Sequence, residues 1–301
     1  MGSSRKKIIV IIAGLVALLV LGLGVLAWQL SSSVMYPSYS CDEEHFVHCD
    51  DPLQLSLAFE DIEFQSADGE RLSGWYIPAT NARKTVIFVH GHGADRREGM
   101  RWFTAIHQAG FSILSFDLRN SGNSTGSFSS MGYYEQRDLI AAVDYLHNQK
   151  QTQRVGIFGT SMGAATSILA MVKDPRIDAA VLEAGWSNLT DLYQDIFEQY
   201  IKLPSYPLLP MTVWALEWRT GLDMDELNPE DMLADIAPRP VSFIHCLRDN
   251  LINFSHAERN YAAAKEPKEL WTASCEIHAR AWQSDNKTLE KQVVDYFLRY
   301  L

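Results

Sequence analysis

Five short runs constrain this chain more than anything else in it. Thr85–His90, Phe111–Phe116, Arg154–Phe158, Ile177–Leu182 and Pro240–Ile244 are each five or six residues long and largely apolar. A strand with one wet face alternates polar and apolar residues, so runs like these read as strands covered on both faces. Helix-like stretches stand between them: Gly99–Gln108, Tyr134–His147, the small-residue segment Met162–Val172, and Ser255–Ala264. In Tyr134–His147 the residues Leu139, Ala142, Val143 and Leu146 share one side, which is the apolar stripe of an amphipathic helix. A short strand at Leu270–Thr272 and a helix at Thr288–Tyr300 close the chain. Ahead of the alternation, Leu57–Phe64 and Arg71–Ile77 read as a hairpin turning at Ala67-Asp68-Gly69. This order predicts an α/β fold, a mostly parallel sheet with helices on both faces.

Two segments fall outside that pattern. Ile8–Trp28 is 21 residues without a charge. As a helix it reaches about 31 Å, one hydrocarbon core. Arg5, Lys6 and Lys7 precede it and Trp28 ends it. Basic residues stay on the cytoplasmic side and Trp favours the interface, so the spacing predicts a single-pass anchor with everything after Trp28 on the other face. A cleaved signal peptide is the rival, with Val25-Leu26-Ala27 as its cleavage site, but the run exceeds the usual h-region. A buried core helix is a third reading, against which the lack of any polar face counts. Ser31 to Ser40, with Pro37 and five Ser, reads as a juxtamembrane linker. The expected divisions are 1–30 basic tip and anchor, 31–56 linker, and 57–301 catalytic domain, with 187–235 a helical insertion over one end of the sheet. In that insertion Leu192, Ile196, Tyr200 and Tyr193, Phe197, Ile201 form one helical stripe, which Pro204, Pro207 and Pro210 interrupt. Trp214 and Trp218 share a face of a second helix that ends at Gly221, and Asn228-Pro229 starts a further one.

The net charge of −11 includes three of the 26 Lys and Arg ahead of the apolar run, so the remainder is more acidic still. Phosphate contacts need a basic surface, which argues against nucleic acid as a partner. Of the four cysteines, Cys41 and Cys49 flank an acidic stretch and close a small loop if the compartment is oxidising; all four as free thiols is the alternative. Cys246 and Cys275 each stand three residues before a candidate catalytic residue, and are read as two buried thiols rather than a disulfide.

Gly159-Thr160-Ser161-Met162-Gly163 follows the strand Arg154–Phe158 and precedes a helix. That is the setting of a nucleophile elbow, where a serine sits at a sharp strand-to-helix turn and glycines two residues either side leave room for the backbone. A serine hydroxyl needs a base to take its proton and a third group to hold that base. Asp249 follows the strand Pro240–Ile244, and His278 follows the next strand; chemistry gathers at the carboxyl ends of parallel strands. Glu183, ending the strand Ile177–Leu182, is an alternative acid. The oxyanion of a tetrahedral intermediate needs two donors. They are assigned to the backbone N–H of Met162 and of His92, the latter in His90-Gly91-His92-Gly93 after the first buried strand. His90 and His92 alone do not make a metal site, as no carboxylate or thiol stands at ligand spacing. Asp117-Leu118-Arg119-Asn120-Ser121-Gly122-Asn123-Ser124 is read as a structural loop bordering the site.

HGHG after a strand, DLRNSGNS, GTSMG, Asp249 and His278, in that order, resemble the α/β-hydrolase superfamily. Within it the chain is similar to membrane-anchored serine hydrolases of the esterase and prolyl-oligopeptidase-like group, over about residues 60–301. The resemblance implies an eight-stranded core, a Ser161–His278–Asp249 triad, and acyl transfer to water with no cofactor and no metal. Two positions depart from the family pattern: Asn120 and Cys246 stand where glycine is usual. The expected activity is cleavage of carboxylic esters or thioesters, on a small-molecule or lipid-like acyl substrate. A peptidase, an acyltransferase, and a hydrolase-like scaffold that only binds are the alternatives; the chain is too short for the propeller of a prolyl oligopeptidase.

Overall fold

The computed structural model describes residues 2–38, 41, 46–80, 83–202, 204–284 and 286–301. Eight strands form one sheet in the order β1-β2-β4-β3-β5-β6-β7-β8. They are β1 Glu60–Gln65, β2 Arg71–Ile77, β3 Lys84–Val89, β4 Ser112–Phe116, β5 Arg154–Thr160, β6 Ile177–Glu183, β7 Val241–Cys246 and β8 Lys268–Ala273. β2 runs antiparallel to β1 and β4; every pairing from β4 to β8 is parallel. The central strands are buried along nearly their whole length, as their composition requires.

The helices of eight or more residues are α1 Gly2–Met35, α2 Met100–Gln108, α3 Glu135–Gln149, α4 Met162–Lys173, α5 Leu189–Ile196, α6 Ser205–Thr220, α7 Phe254–Ala263 and α8 Asn286–Tyr300. Two large buried clusters, one on each face, pack the helices against the sheet, and a smaller third joins Ala27 to Phe197, Leu208 and Leu209. Of the large pair, one joins Leu139, Val143 and Leu146 of α3 and Ile168 of α4 to Ile87 and Ile157. The other joins Trp102 and Phe103 of α2 and Val293, Tyr296 and Phe297 of α8 to Val86 and Phe158.

α1 is long and apolar enough to cross a membrane, and Ser4–Gly22 is exposed along its full length. Its last turns correct the linker expected from Ser31. The helix continues to Met35, because Ser31 and Ser32 donate to the Trp28 carbonyl and Ser33 to that of Leu30. These hydroxyls satisfy carbonyls within the helix instead of breaking it. Packing then holds the segment: Ala27, Ser31 and Met35 are buried. Of the remaining expected linker, Tyr39 and Ser40 lie outside the described residues, as do residues 42–45 of the stretch between Cys41 and Cys49. Cys41 and Cys49 themselves are joined as a disulfide.

α5 extends through a wider turn, Phe197–Ile201, and α6 packs along α1. The prolines correct the expected boundary here. α6 begins at Ser205, is kinked at Tyr206 and carries Pro210 inside it. Gly221, at φ +70°, ends it as expected, and Pro229 opens the short helical turn Pro229–Met232.

Candidate active site

Ser161 stands between β5 and α4 with φ +53° and ψ −115°. An L residue pays about 1–3 kcal/mol to sit in such a region, and persists there only where the surroundings demand it. The surroundings are two flanking glycines. A Cβ on Gly159 would lie 2.5 Å from the Gly163 carbonyl oxygen, and one on Gly163 only 2.0 Å from that of Val89. Glycine at both positions lets α4 close directly onto β3 and β5.

His278 Nε2 lies 2.8 Å from Ser161 Oγ. Its Nδ1 lies 2.9 Å and 3.1 Å from the two Asp249 carboxylate oxygens. With Nδ1–H donating to the carboxylate, Nε2 is left as the acceptor for the hydroxyl proton. Asp249 Oδ1 also accepts the backbone N–H groups of Leu251 and Ile252, both at 2.9 Å. Burial pushes the Asp249 carboxyl up, but the hydrogen bonds from His278 and the Ile252 N–H outweigh that and hold it below the usual carboxylate range. Glu183, the other acid considered, turns away. It pairs at 2.8 Å with Arg101, both side chains being almost fully buried.

The loops carrying the acid and the imidazole are tied together by contacts that the sequence pattern did not indicate. Asn250 Oδ1 accepts the His278 N–H at 2.9 Å, and the Asn250 N–H donates to the Glu276 carbonyl at 2.9 Å. Tyr200, beyond α5, donates its hydroxyl to the Asn250 carbonyl. Cys246 and Cys275 form a disulfide, which corrects the reading of two buried thiols. β7 and β8 run side by side with Cys246 opposite Ala273, so the two sulfurs meet just past the strand ends. The bond closes a loop with a sequence separation of 29, for which chain entropy implies about 3–4 kcal/mol. Loss of this bond is therefore expected to lower the melting temperature by roughly 5–10 °C, read by comparing melts of the parent and of a double serine variant. An unchanged melt of the Cys246→Ser/Cys275→Ser variant would contradict it.

The loop after β3 borders the same space. The Gly91 N–H donates to the buried Glu98 carboxylate at 2.7 Å, and a Cβ on Gly91 would lie 3.2 Å from that of Ser161. His90 binds backbone through both ring nitrogens: Nε2 accepts the Leu118 N–H at 3.0 Å, which leaves Nδ1–H to donate to the Gly91 carbonyl at 2.8 Å. His92 donates Nε2–H to the Val34 carbonyl at 2.7 Å, and burial pushes its ring below its ordinary value, so it is neutral. Met162 is the first residue of α4, and a first helical N–H has no partner inside its own helix.

Asp117 caps the bordering loop, accepting the Arg96 and Asn123 N–H groups at 2.9 Å each. Arg119 forks onto Asp138 and Asp68, whose hydrogen bonds outweigh the cost of burial and hold its charge firmly. Asn120, where glycine is usual, has φ +56°. Asn is one of the few L residues that enter that region readily, so the departure preserves the turn.

Ser161 and His278 face a cavity of about 640 Å³. Most of its wall is apolar, supplied by Leu192 and Ile196 of α5, Leu209 and Leu216 of α6, and Leu30 and Val34 of α1. The contribution of α1 had no signal in local sequence pattern, because it depends on how a helix near one end of the chain meets a segment some 190 residues later.

Residues 80–220 match the family model described as serine aminopeptidase, S33. An uncharacterized protein of Bacillus subtilis, YqkD, is 28% identical over 301 residues, covering 97% of each chain. An uncharacterized protein of Mycobacterium tuberculosis, Rv2307c, is 30% identical over 215 residues, 70% of this chain and 69% of its own. Among solved structures, the Pyrococcus furiosus esterase Pf2001 superposes with a TM-score of 0.71 at 26% identity, over 89% of this chain and 98% of that one. With its eight-stranded sheet and these relatives, the chain belongs to the α/β-hydrolase superfamily and is a hydrolase.

Proposed function

We propose that the chain is a serine hydrolase that cleaves carboxylic ester or thioester bonds through an acyl-enzyme on Ser161. The observation that carries this reading is the continuous hydrogen-bonded row from Ser161 Oγ through His278 to Asp249. His278 takes the hydroxyl proton as Oγ bonds to the acyl carbon, and the N–H groups of His92 and Met162 receive the oxyanion. As the ester C–O bond breaks, His278 gives that proton to the leaving alcohol. Water then attacks the acyl carbon, with His278 as base, and the acid leaves. Asp249 holds the imidazole in the tautomer this sequence needs.

The matched esterase and the apolar wall both favour an acyl chain as the group bound. An aminopeptidase, the activity in the family description, must hold a charged amino group beside the scissile bond. Among the described residues lining the cavity Glu98 is the one acid, and it is buried with its carboxylate accepting the Gly91 N–H. Residues 187–235 act as the cap of the catalytic domain, and α1 anchors it with the N-terminus cytoplasmic. Cleavage after Ala27 would remove a residue buried against the cap, which supports retention of the helix.

Asp249→Asn keeps the shape but presents the wrong hydrogen-bonding group to Nδ1–H. It is expected to lower kcat on p-nitrophenyl butyrate by about 10³–10⁴-fold; a loss below tenfold would remove Asp249 from the mechanism. The same variant tests the pH sign. A carboxyl held below its unfolded value stabilises the fold above the ordinary carboxylate range, and this contribution is lost as pH falls through the lower folded value. Asp249→Asn should therefore flatten that part of the acid limb in melting temperature against pH.

A further inference from the structure

The cap helix α6 is apolar on two sides. One side carries Leu208, Leu209 and Leu216, buried against the cavity and α1. The other carries Pro210, Trp214 and Trp218, each four residues from the next, after the exposed Tyr206. A four-residue repeat keeps side chains in one row. Tyr206, Trp214 and Trp218 are 79%, 65% and 68% exposed. Trp214 and Trp218 stack with centroids 6.2 Å apart, and Trp218 lies 6.1 Å from Trp28 of α1. Exposed apolar rows of this kind mark an interaction surface, and indoles are specifically at home in the headgroup layer of a bilayer.

What covers the row follows from α1. Arg219 fastens the cap to that helix, donating to the Trp28 carbonyl and to the Ser31 and Ser32 hydroxyls at 3.1, 2.7 and 2.8 Å. Its guanidinium also stands 4.1 Å from the centre of the Trp28 ring. If α1 crosses a bilayer, Trp28 marks the boundary, and the row on α6 is held beside it at that level. The cavity is held there too. Leu30, Ser33 and Val34 line it. They lie two to six residues past Trp28, so about 3–9 Å along the helix axis. A headgroup layer is roughly 5–7 Å deep on each side, so the cavity wall begins within it. The acidic body gives no attraction to anionic lipid; the contact is apolar.

We propose that the Pro210–Trp218 face of α6 lies in the interfacial layer of the membrane crossed by α1, and that the substrate is a long-chain acyl ester resident in that membrane. Its chain passes from the bilayer into the apolar cavity while its carbonyl reaches Ser161. The substrate half rests on Ser161 as nucleophile; the docking half does not.

The test uses the full chain in phosphatidylcholine vesicles. In a Trp28→Phe variant, Trp214 and Trp218 become the exposed indoles, whereas Trp75, Trp102 and Trp186 are buried and Trp271 and Trp282 half-buried. Phosphatidylcholine brominated near its glycerol end is expected to remove at least about a quarter of the emission. Adding Trp214→Ser and Trp218→Ser should abolish most of that quenching. With Trp28 retained, the Trp214→Ser/Trp218→Ser variant should hydrolyse p-nitrophenyl acetate in water within about twofold of the parent, but p-nitrophenyl palmitate dissolved in the bilayer about tenfold more slowly. Unquenched emission in the Trp28→Phe chain overturns the docking, and is also the result if a second copy of the chain covers the row. Equal rates on bilayer palmitate overturn the route of entry. If the parent turns over neither ester, the substrate half falls with the Ser161 reading, and the emission still decides the docking.

Discussion

Ser161→Ala is expected to abolish labelling by a fluorophosphonate and to lower kcat on p-nitrophenyl esters by about 10⁴–10⁶-fold. The size follows from the arrangement. On the proposed mechanism, His278 Nε2 without Oγ loses the atom 2.8 Å away whose proton it would take, and no acyl-enzyme would form. What remains is binding and the oxyanion donors. A second substitution separates chemistry from folding. Ser161 occupies φ +53°, a conformation that strains any residue with a Cβ. Ser161→Gly should relieve about 1–2 kcal/mol and raise the melting temperature by a few degrees, while leaving the protein as inactive as the alanine variant. A chain that is more stable and dead is the signature of strain kept for function. Labelling that persists in Ser161→Ala would move the nucleophile elsewhere. Inactivity of the unsubstituted chain towards every ester and towards the label would leave a binding scaffold as the better reading.

The strands were legible because each is short, apolar and buried on both faces; β3, β4, β5, β6 and β7 all fall within two residues of the expected runs at either end. The elbow was legible for a stronger reason. Glycine at 159 and 163 records two close backbone approaches, so the spacing itself carries three-dimensional information. Asp249 and His278 could be placed beside Ser161 only because polar side chains at the carboxyl ends of parallel strands gather at one place. The supports of the site were not legible. Nothing local marks Asn250 as the acceptor for the His278 N–H, or Tyr200 as a donor to Asn250. Three serines in a row at 31–33 carry a breaker's composition, and a helix persists there because their hydroxyls bond back to its own carbonyls and Arg219 and the cap pack against it. The Cys246–Cys275 bond likewise depends on the register of β7 against β8, which composition does not specify.

Truncations of α1 at two places are expected to behave in opposite ways. Ser4–Gly22 is exposed throughout, so deleting residues 1–22 removes the free length of α1 and little packing. That chain should melt within a few degrees of the parent and hydrolyse a water-soluble ester within about twofold. Deleting residues 1–38 takes away much more. Met35 leaves the main core, and its carbonyl no longer accepts the Ser129 N–H at 2.9 Å or the Asn120 side chain at 3.2 Å. Arg219 loses all three of its acceptors on α1, and His92 loses the Val34 carbonyl that orients its ring in the loop beside Ser161. Exposed apolar surface and orphaned donors together cost on the order of 5 kcal/mol. The melting temperature should fall by roughly 10 °C or more, and turnover should drop even well below the new melt, because Leu30 and Val34 no longer wall the cavity. Rates on acetate, butyrate and octanoate esters give the sharper measure. A breached wall weakens selection for the longer chains more than it slows the shortest, whereas a merely destabilised fold slows all three alike. Matching melts and matching chain-length profiles in the two truncations would mean that the end of α1 only tethers the enzyme and does not build its site.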